Sequence, residues 1–345
     1  MLLQVKKSCA DTLLGITWTG GANAFLGLES TLVALDPNDG KIQHVYGQVG
    51  AENFVGLAYD STRTRLYALS QEKNLYSIDE LSPLNVRLIG KLFFEGSDSI
   101  NWSANSLCYD PESRSLYCSM RVDYWPYFNG SVLSKINTNT AEVEIIGPFN
   151  GVSNNYILSG LAYDEATGQL YGVSNYLSPG SSYPDYTQVV SVNPDDASLT
   201  GLYETPAYYI QGLAKGPGDG ILYSWMSSDS GHYYLKAMLD EKTTEVLGSS
   251  DSAGGVFALT STAPSLHLKV TGTKVSLSWT PVIGANGYSL YYAPLDVSYT
   301  DQIDLGDRTG ISFDLWEGAK YYVAILAYDE SGVVEISNIE YFTIE

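Results

Sequence analysis

One short motif recurs along the first 262 residues and constrains the fold more than any other feature of the sequence. It reads Gly or Ser, Leu, a small residue, Tyr and Asp, and it occupies residues 56–60, 106–110 and 160–164, with degenerate copies at 212–216 and 15–18. Ten residues after the start of each copy stands an apolar residue that predicts a second strand: Phe25, Leu66, Leu116, Leu170 and Leu222. We interpret each copy as the first strand of a repeated unit.

Each unit contains two further predicted strands. The third ends in an apolar residue followed by Asp or Asn, which is turn chemistry, and a fourth follows at once. The units are 41 to 54 residues long. Four-stranded units of this period, stacked so that neighbours bury each other's faces, predict a β-propeller.

The copy at 254–260 is a sixth opening strand with no further strands after it. We expect it to close the ring against the N-terminal segment. The sequence therefore predicts a five-bladed propeller, with six blades as the alternative.

The first unit with a complete motif continues as Leu-Tyr-Ala-Leu-Ser at 66–70 and Leu-Tyr-Ser-Ile-Asp at 75–79. This succession resembles the repeats of NHL-like and YVTN-like β-propellers, and the resemblance covers about 250 residues. It implies the fold but no single activity, because such repeats serve binders, scaffolds and enzymes.

After residue 262 the pattern changes to longer strands that alternate apolar and polar residues. Trp279 on an early strand and the spacing of Leu315, Gly318 and Tyr321 resemble the fibronectin type III pattern. The chain is therefore expected to be all-β, with a β-propeller over residues 1–262 and a fibronectin type III-like β-sandwich over 263–345.

The charge balance excludes some partners. The chain has 39 Asp and Glu against 18 Lys and Arg, a net charge of −21, which would repel nucleic acid and anionic lipid. No apolar run is long enough to span a membrane, so no membrane insertion is expected. No cofactor is predicted, although the acidity leaves Ca²⁺ open.

The location is inferred from the same composition. Such acidity suits a salty or extracellular setting, and Gln4, Lys6 and Lys7 interrupt the N-terminal apolar stretch, so no signal peptide is visible. We expect a protein outside the cell, on the cell surface or on a virion.

Two of the three cysteines, Cys108 and Cys118, lie at positions that hold small residues in the other units. We expect them to be small core residues, since free Cys is commonly buried. A disulfide between them is the alternative and would need a specific geometry.

The loops that vary in length should share one face of the propeller. The loops entering each first strand and those joining the second strand to the third lie at the same end, and the latter are longest in units three to five. They are rich in Tyr and Trp, which bury much area at little entropic cost. We therefore predict a ligand-binding face that includes the loop residues Tyr124, Trp125, Tyr127 and Tyr183.

One further position recurs on this face, four residues before each opening residue. It holds Asp11, Glu52, Trp102, Tyr156, Tyr208 and Asp251. Carboxylates beside aromatic rings would suit a sugar, whose faces stack on rings while its hydroxyls bond to acids, and would equally suit a metal ion. Alternatively, the aromatic residues only pack the loops together.

The motif aspartates Asp60, Asp110 and Asp164 lie at the opposite end of the first strand. An Asp directly before a tight turn usually caps backbone amides, and we expect this role rather than metal binding or catalysis. His44, His232 and His267 are scattered, so the sequence shows no His-centred catalytic group.

Three functional hypotheses follow. The first is a non-catalytic binding or structural protein that presents the aromatic loops to a protein or glycan. The second is a glycan- or lactone-cleaving hydrolase that uses Asp11, Glu52 and Asp251. The third is a component of a larger assembly.

Overall fold

The structure is a computed structural model. It describes residues 13–18, 30–37, 39–81, 83–124, 128–149, 156–165, 167–176, 185–205, 209–215, 221–228, 231–239, 241–250, 256–262, 264, 266–295, 299–330, 332–337 and 339–344. Over these ranges the protein is all-β, and its helical content is one 3-10 turn at Ser97–Ser99. None of the described segments forms a helix long and apolar enough to cross a membrane.

The strands up to residue 262 are short and follow the repeat. In chain order they are β1 (Leu13–Trp18), β2 (Ser30–Leu35), β3 (Ile42–Gly50), β4 (Phe54–Asp60), β5 (Arg65–Ser70), β6 (Asn74–Leu81), β7 (Leu84–Lys91), β8 (Asn101–Asp110), β9 (Ser115–Tyr124), β10 (Phe128–Ile136), β11 (Val143–Pro148), β12 (Tyr156–Asp164), β13 (Gln169–Tyr176), β14 (Tyr186–Val192), β15 (Leu199–Thr205), β16 (Tyr209–Lys215), β17 (Ile221–Ser228), β18 (Gly231–Met238), β19 (Thr243–Ser250) and β20 (Val256–Ser261).

In the described part of this region the strands form five antiparallel four-stranded sheets. Four of them follow chain order: β4 to β7, β8 to β11, β12 to β15 and β16 to β19. The fifth has the order β20-β1-β2-β3 and so joins the two ends of the region. Its pairing runs from Leu13 opposite Ser261 to Ile16 opposite Ala258.

This pairing confirms that the sixth copy closes against the N-terminal segment, and it corrects one assignment. Residues 15–18 do not open a sheet, because β1 is the second strand of its sheet and β20 supplies the first. The copy at 254–260 therefore does have successors, which lie at the other end of the chain.

The first strands of the sheets adjoin one another in a closed circuit. Strand β4 adjoins β8, β8 adjoins β12, β12 adjoins β16, β16 adjoins β20, and β20 adjoins β4. Among the described residues an apolar cluster lies between each pair of successive sheets, around Leu66, Leu116, Leu170, Val189 and Leu13. The core is thus divided among the sheet interfaces.

The strand register explains the two cysteines. Cys118 lies opposite Leu107 and therefore shares a face of the sheet with it. Cys108 is the next residue after Leu107 in β8, so its side chain points to the other face. Cys118 packs in the cluster shared with the preceding sheet and Cys108 in the cluster shared with the next. Both are free and buried, which confirms them as small core residues and excludes a bridge between them.

These thiols should be unreactive in the folded protein. Burial raises the pKa of Cys118 to about 12 and that of Cys108 well above its usual value, so neither forms a thiolate at pH 8. In a Cys9→Ser variant, we expect a thiol-reactive disulfide reagent to label no cysteine in native protein and both after denaturation in guanidinium. Rapid labelling of the native variant would contradict this packing.

The strands after residue 262 form two further sheets. They are β21 (Leu266–Thr271), β22 (Lys274–Trp279), β23 (Gly287–Pro294), β24 (Asp301–Gly306), β25 (Gly310–Asp314), β26 (Lys320–Asp329), β27 (Gly332–Ile336) and β28 (Glu340–Thr343). One sheet has the order β21-β22-β25, and the other has the order β24-β23-β26-β27 with β28 also paired to β26. Both contribute to one apolar cluster that includes Trp279, Tyr288 and Ile325.

The two regions are joined by specific contacts. Tyr59 Oη donates a hydrogen bond of 2.7 Å to the carbonyl oxygen of Pro281. Ile283 packs into the apolar cluster between the sheet that contains β1 and the sheet that contains β4. Thr262 Oγ1 donates to Glu335 Oε1 at 3.0 Å, and both residues are buried. The junction therefore combines apolar packing with hydrogen bonds that are shielded from water.

Candidate functional site

The segments that enter the first strands and the turns between second and third strands lie at the same end of their sheets, and we call this end the loop face. In the sheet of β4, the Gln71 amide donates to the Asn53 carbonyl oxygen at 2.7 Å. In the next two sheets Asn101 pairs with Asp123 and Tyr156 with Tyr176. This arrangement confirms the predicted sidedness of the loops.

Glu52 stands at the entrance to β4 and is held by neighbours on the loop face. Its Oε1 accepts hydrogen bonds from Asn74 Nδ2 at 2.8 Å and Tyr76 Oη at 3.0 Å. Burial and the bond to Glu52 raise the pKa of Tyr76 to about 12. Among the described residues, Glu52 Oε2 and Asn53 Oδ1 are buried without a hydrogen-bond partner. Such acceptors cost stability unless a water or ligand supplies a donor.

Trp102 departs from the expectation of an exposed ring, because only 5% of it is exposed. Strand β8 begins at Asn101, so Trp102 is part of a sheet and packs against Phe94 with ring centroids 5.2 Å apart. Lys73 Nζ lies 4.1 Å from the Trp102 ring centroid, within the range of a cation–π contact. In this structure Trp102 therefore anchors the loop face, and a role in binding stays a prediction.

Two stacked tyrosines flank the loop between β13 and β14, one at the end of each strand. The rings of Tyr176 and Tyr186 have centroids 5.2 Å apart and planes 22° apart, and both are half-buried. Beneath them Thr187 Oγ1 donates to Asn175 Oδ1 at 2.9 Å, and Asn175 Nδ2 donates to Ser159 Oγ. Because these polar groups are buried and bonded to each other, they hold the base of the loop in one geometry.

Most of the other predicted binding residues are not described. Asp11, Trp125, Tyr127, Tyr183, Tyr208 and Asp251 lie outside the described residues, and Tyr124 and Tyr156 are described by their backbone alone. Asp11 also loses its alignment with Glu52, because it precedes a second strand rather than a first. Binding by these residues, and the hydrolase alternative that needs Asp11 and Asp251, remain predictions.

At the opposite end, which we call the turn face, the motif aspartates cap the turns. Asp60 Oδ1 accepts hydrogen bonds from the amides of Thr62 and Arg63, at 3.0 and 3.2 Å. Asp110 Oδ1 accepts from the amides of Glu112 and Ser113, at 2.8 and 3.2 Å. The predicted capping role is confirmed for these two residues.

The same aspartates also link neighbouring sheets, which the sequence pattern did not reveal. The pKa of Tyr163 is raised by burial and by its hydrogen-bonded neighbour Asp110 of the preceding sheet. At the equivalent position of the next sheet, Lys215 replaces Tyr and its Nζ lies 3.6 Å from Asp164. The variation from Tyr to Lys in the motif therefore preserves the contact between the sheet of β16 and the sheet of β12.

Glu165 follows the last of these aspartates and is the most perturbed carboxyl on the turn face. Ser61 Oγ, from the sheet two positions away, donates to its Oε1 at 3.2 Å. Burial, together with the negative charges of Asp110 and Asp164, raises the pKa of Glu165 to about 7. This carboxyl can therefore exchange a proton near neutral pH, a property that the residue pattern alone could not indicate.

A cleft of about 770 Å³ lies at the junction of the two regions. Six carboxyl side chains line it and no described lining residue is a cation; the acids are Asp79, Glu80, Asp307, Asp329, Glu330 and Glu335. Asp79 already pairs with Arg65, and Glu335 accepts from Thr262. Within the described ranges, no three His, Cys, Asp or Glu side chains are grouped to hold a metal ion.

Comparison with known proteins gives only distant similarities. No family model matches the chain. An amylopullulanase of Thermoanaerobacterium saccharolyticum is 25% identical over 165 residues, which cover 44% of this chain and 12% of that enzyme. The chain thus spans only a small part of the relative it matches.

Among solved structures, the extracellular domain assigned to a one-component system of B. thetaiotaomicron covers 90% of this chain and 45% of its own, with 10% identity and a TM-score of 0.37. A fibronectin type III domain of human collagen XX covers 24% of this chain and 88% of its own, with 24% identity and a TM-score of 0.21. No conclusion rests on these two similarities, because their TM-scores are too low.

Proposed function

We propose that residues 1–262 form a five-bladed β-propeller and that residues 263–345 form a fibronectin type III-like sandwich. The closed circuit of first strands, from β4 through β20 back to β4, supports five blades. Pairing of β20 with β1 supports closure by strands from both ends of the region. The single core shared by the two C-terminal sheets supports the sandwich.

We further propose that this protein is a non-catalytic binding protein that acts outside the cell, on a cell surface or on a virion. Its loop face would contact a protein or glycan, and it could do so as part of a larger assembly. The observation that carries this proposal is the Tyr176–Tyr186 stack, which stands at the base of a long aromatic loop on a rigid buried network. Rigid tyrosines on a fixed scaffold are favourable for recognition because little entropy is lost when they bind.

The binding proposal predicts that aromatic residues of the loop face determine affinity. We expect Trp125→Ala and Tyr186→Ala each to weaken binding about tenfold or more, as hot-spot aromatic residues do. The measurement is a glycan-array screen of the purified chain, followed by titration of the strongest ligand into each variant.

The matched control is Tyr341→Ala, because Tyr341 is an exposed tyrosine of the C-terminal region. This substitution is expected to leave the affinity for the ligand unchanged. A ligand that binds the wild type and a Trp125→Ala, Tyr186→Ala double variant equally well would rule out the loop face as the binding surface.

A further inference from the structure

Trp316 is the most exposed large hydrophobic side chain among the described residues, with 63% of its surface accessible. A turn holds it in place: the Ala319 amide donates to the Trp316 carbonyl oxygen at 3.1 Å, and Gly318 has a φ of +85°. Positive φ at the third position of such a turn favours glycine. Trp316 is thus presented to solvent by an ordered turn.

Three tyrosines accompany Trp316. The Trp316 and Tyr321 rings have centroids 6.4 Å apart at 80°, and the Tyr292 and Tyr321 rings are 6.1 Å apart at 62°. On its core side, the Tyr321 ring packs against Phe342, and their ring centroids are 6.0 Å apart. Tyr299 is 57% exposed and stands two residues before Asp301 in the sequence. Steeply inclined rings form the walls of a corner rather than one flat platform.

A carboxylate lies beside this corner. Tyr292 Oη donates to Asp301 Oδ2 at 3.2 Å, while Asp301 Oδ1 accepts from the Gln302 amide. Exposed Glu317 directly follows Trp316. Lys320 directly precedes Tyr321 in β26. Because adjacent residues of a strand point to opposite faces of the sheet, the Lys320 side chain faces away from Tyr321.

We propose that the corner formed by Tyr292, Trp316 and Tyr321, with Asp301, binds a Lys or Arg side chain of a basic partner segment. Aromatic faces carry negative potential, and the exposed Trp316 ring lies in a cluster that also holds the Asp301 carboxylate, which favours a cation. The net charge of −21 attracts such partners over long range. A neutral glycan could stack on the exposed Trp316 ring, but it would gain no charge attraction from the Asp301 and Glu317 carboxylates beside it. This surface is separate from the loop face.

The test uses the peptide acetyl-Gly-Arg-Lys-Arg-Gly-amide, an analogue with Gln at the three basic positions, and maltohexaose. Each is titrated at about 0.3 M salt, where long-range attraction is screened, into the full chain labelled with 5-fluorotryptophan. The Trp316 resonance is assigned by its loss in Trp316→Phe. We expect the basic peptide alone to shift this resonance. Calorimetric titration, which does not need the Trp316 ring as a reporter, should show that Trp316→Ala and Asp301→Asn weaken binding about three- to tenfold.

Two controls separate this corner from general charge. Asp98→Asn removes the same charge from an exposed site on the other region, and Tyr341→Ala removes an exposed ring outside the corner; both should leave the dissociation constant unchanged. The proposal is overturned if the basic peptide leaves the Trp316 resonance unmoved, if all variants bind it equally, or if maltohexaose shifts the resonance and the basic peptide does not.

Discussion

Glu165→Gln is expected to stabilise the protein by about 3 kcal/mol at pH 8 and to have almost no effect near pH 4. The pKa of Glu165 is raised from 4.5 to about 7 in the folded protein, by burial and by Asp110 and Asp164. Between these values the folded state keeps a proton that the unfolded state has released. The wild type therefore loses stability as pH rises from about 4.5 to 7, and glutamine, which stays neutral, does not.

The measurement is urea unfolding of both proteins at several pH values from 4 to 8, with the difference in unfolding free energy plotted against pH. Glu112→Gln is the matched control, because Glu112 is an exposed carboxyl on the same turn face. Its difference should stay small and nearly flat. A difference for Glu165→Gln that is constant across the range would show that Glu165 has an ordinary pKa.

The repeat could be predicted from sequence because its information is local. The motif, the ten-residue offset and the Asp that ends β4, β8 and β12 all lie within single units, and antiparallel pairing of neighbours follows from short turns. The capping roles of Asp60 and Asp110 follow for the same reason, since each bonds to amides two and three residues ahead.

What the pattern missed depends on residues far apart in the chain. Residues 15–18 look like an opening strand, but β20 takes that place because the ring closes through more than 240 residues of sequence separation. The raised pKa of Glu165 requires burial and the negative charge of Asp110, which belongs to another sheet, and it persists although the hydrogen bond from Ser61 lowers it. Neither arrangement leaves a trace in the local spacing.

The candidate site was predictable in position but not in detail. The face on which the loops gather follows from strand direction alone. The burial of Trp102 does not, because it depends on β8 extending to Asn101 and on Lys73 reaching over the ring from the preceding sheet. The exposure of Trp316 likewise depends on the turn that Gly318 permits.

Gly56→Ala is expected to destabilise the protein by about 2–3 kcal/mol, because Gly56 lies where the backbones of two neighbouring sheets are in close contact. A Cβ on Gly56 would lie 2.8 Å from the Leu107 backbone nitrogen and 2.8 Å from its Cγ. Leu107 belongs to β8, the first strand of the next sheet, so the backbone itself would have to move. Gly160 is in the same situation, with Leu213 Cβ at 2.9 Å.

Gly147→Ala provides the matched control, since Gly147 is also a strand glycine but its added Cβ would meet only the Asp196 carbonyl oxygen, at 3.8 Å. That change should alter the unfolding free energy by less than about 0.5 kcal/mol. The third copy has Ser106 at the motif position, where its Oγ lies 2.7 Å from Ser119 Oγ of the neighbouring strand in the same sheet. Equal losses for Gly56→Ala and Gly147→Ala would mean that β4 and β8 can separate freely. A large loss for Gly56→Ala and a small one for Gly147→Ala would show that β4 and β8 are held in close contact.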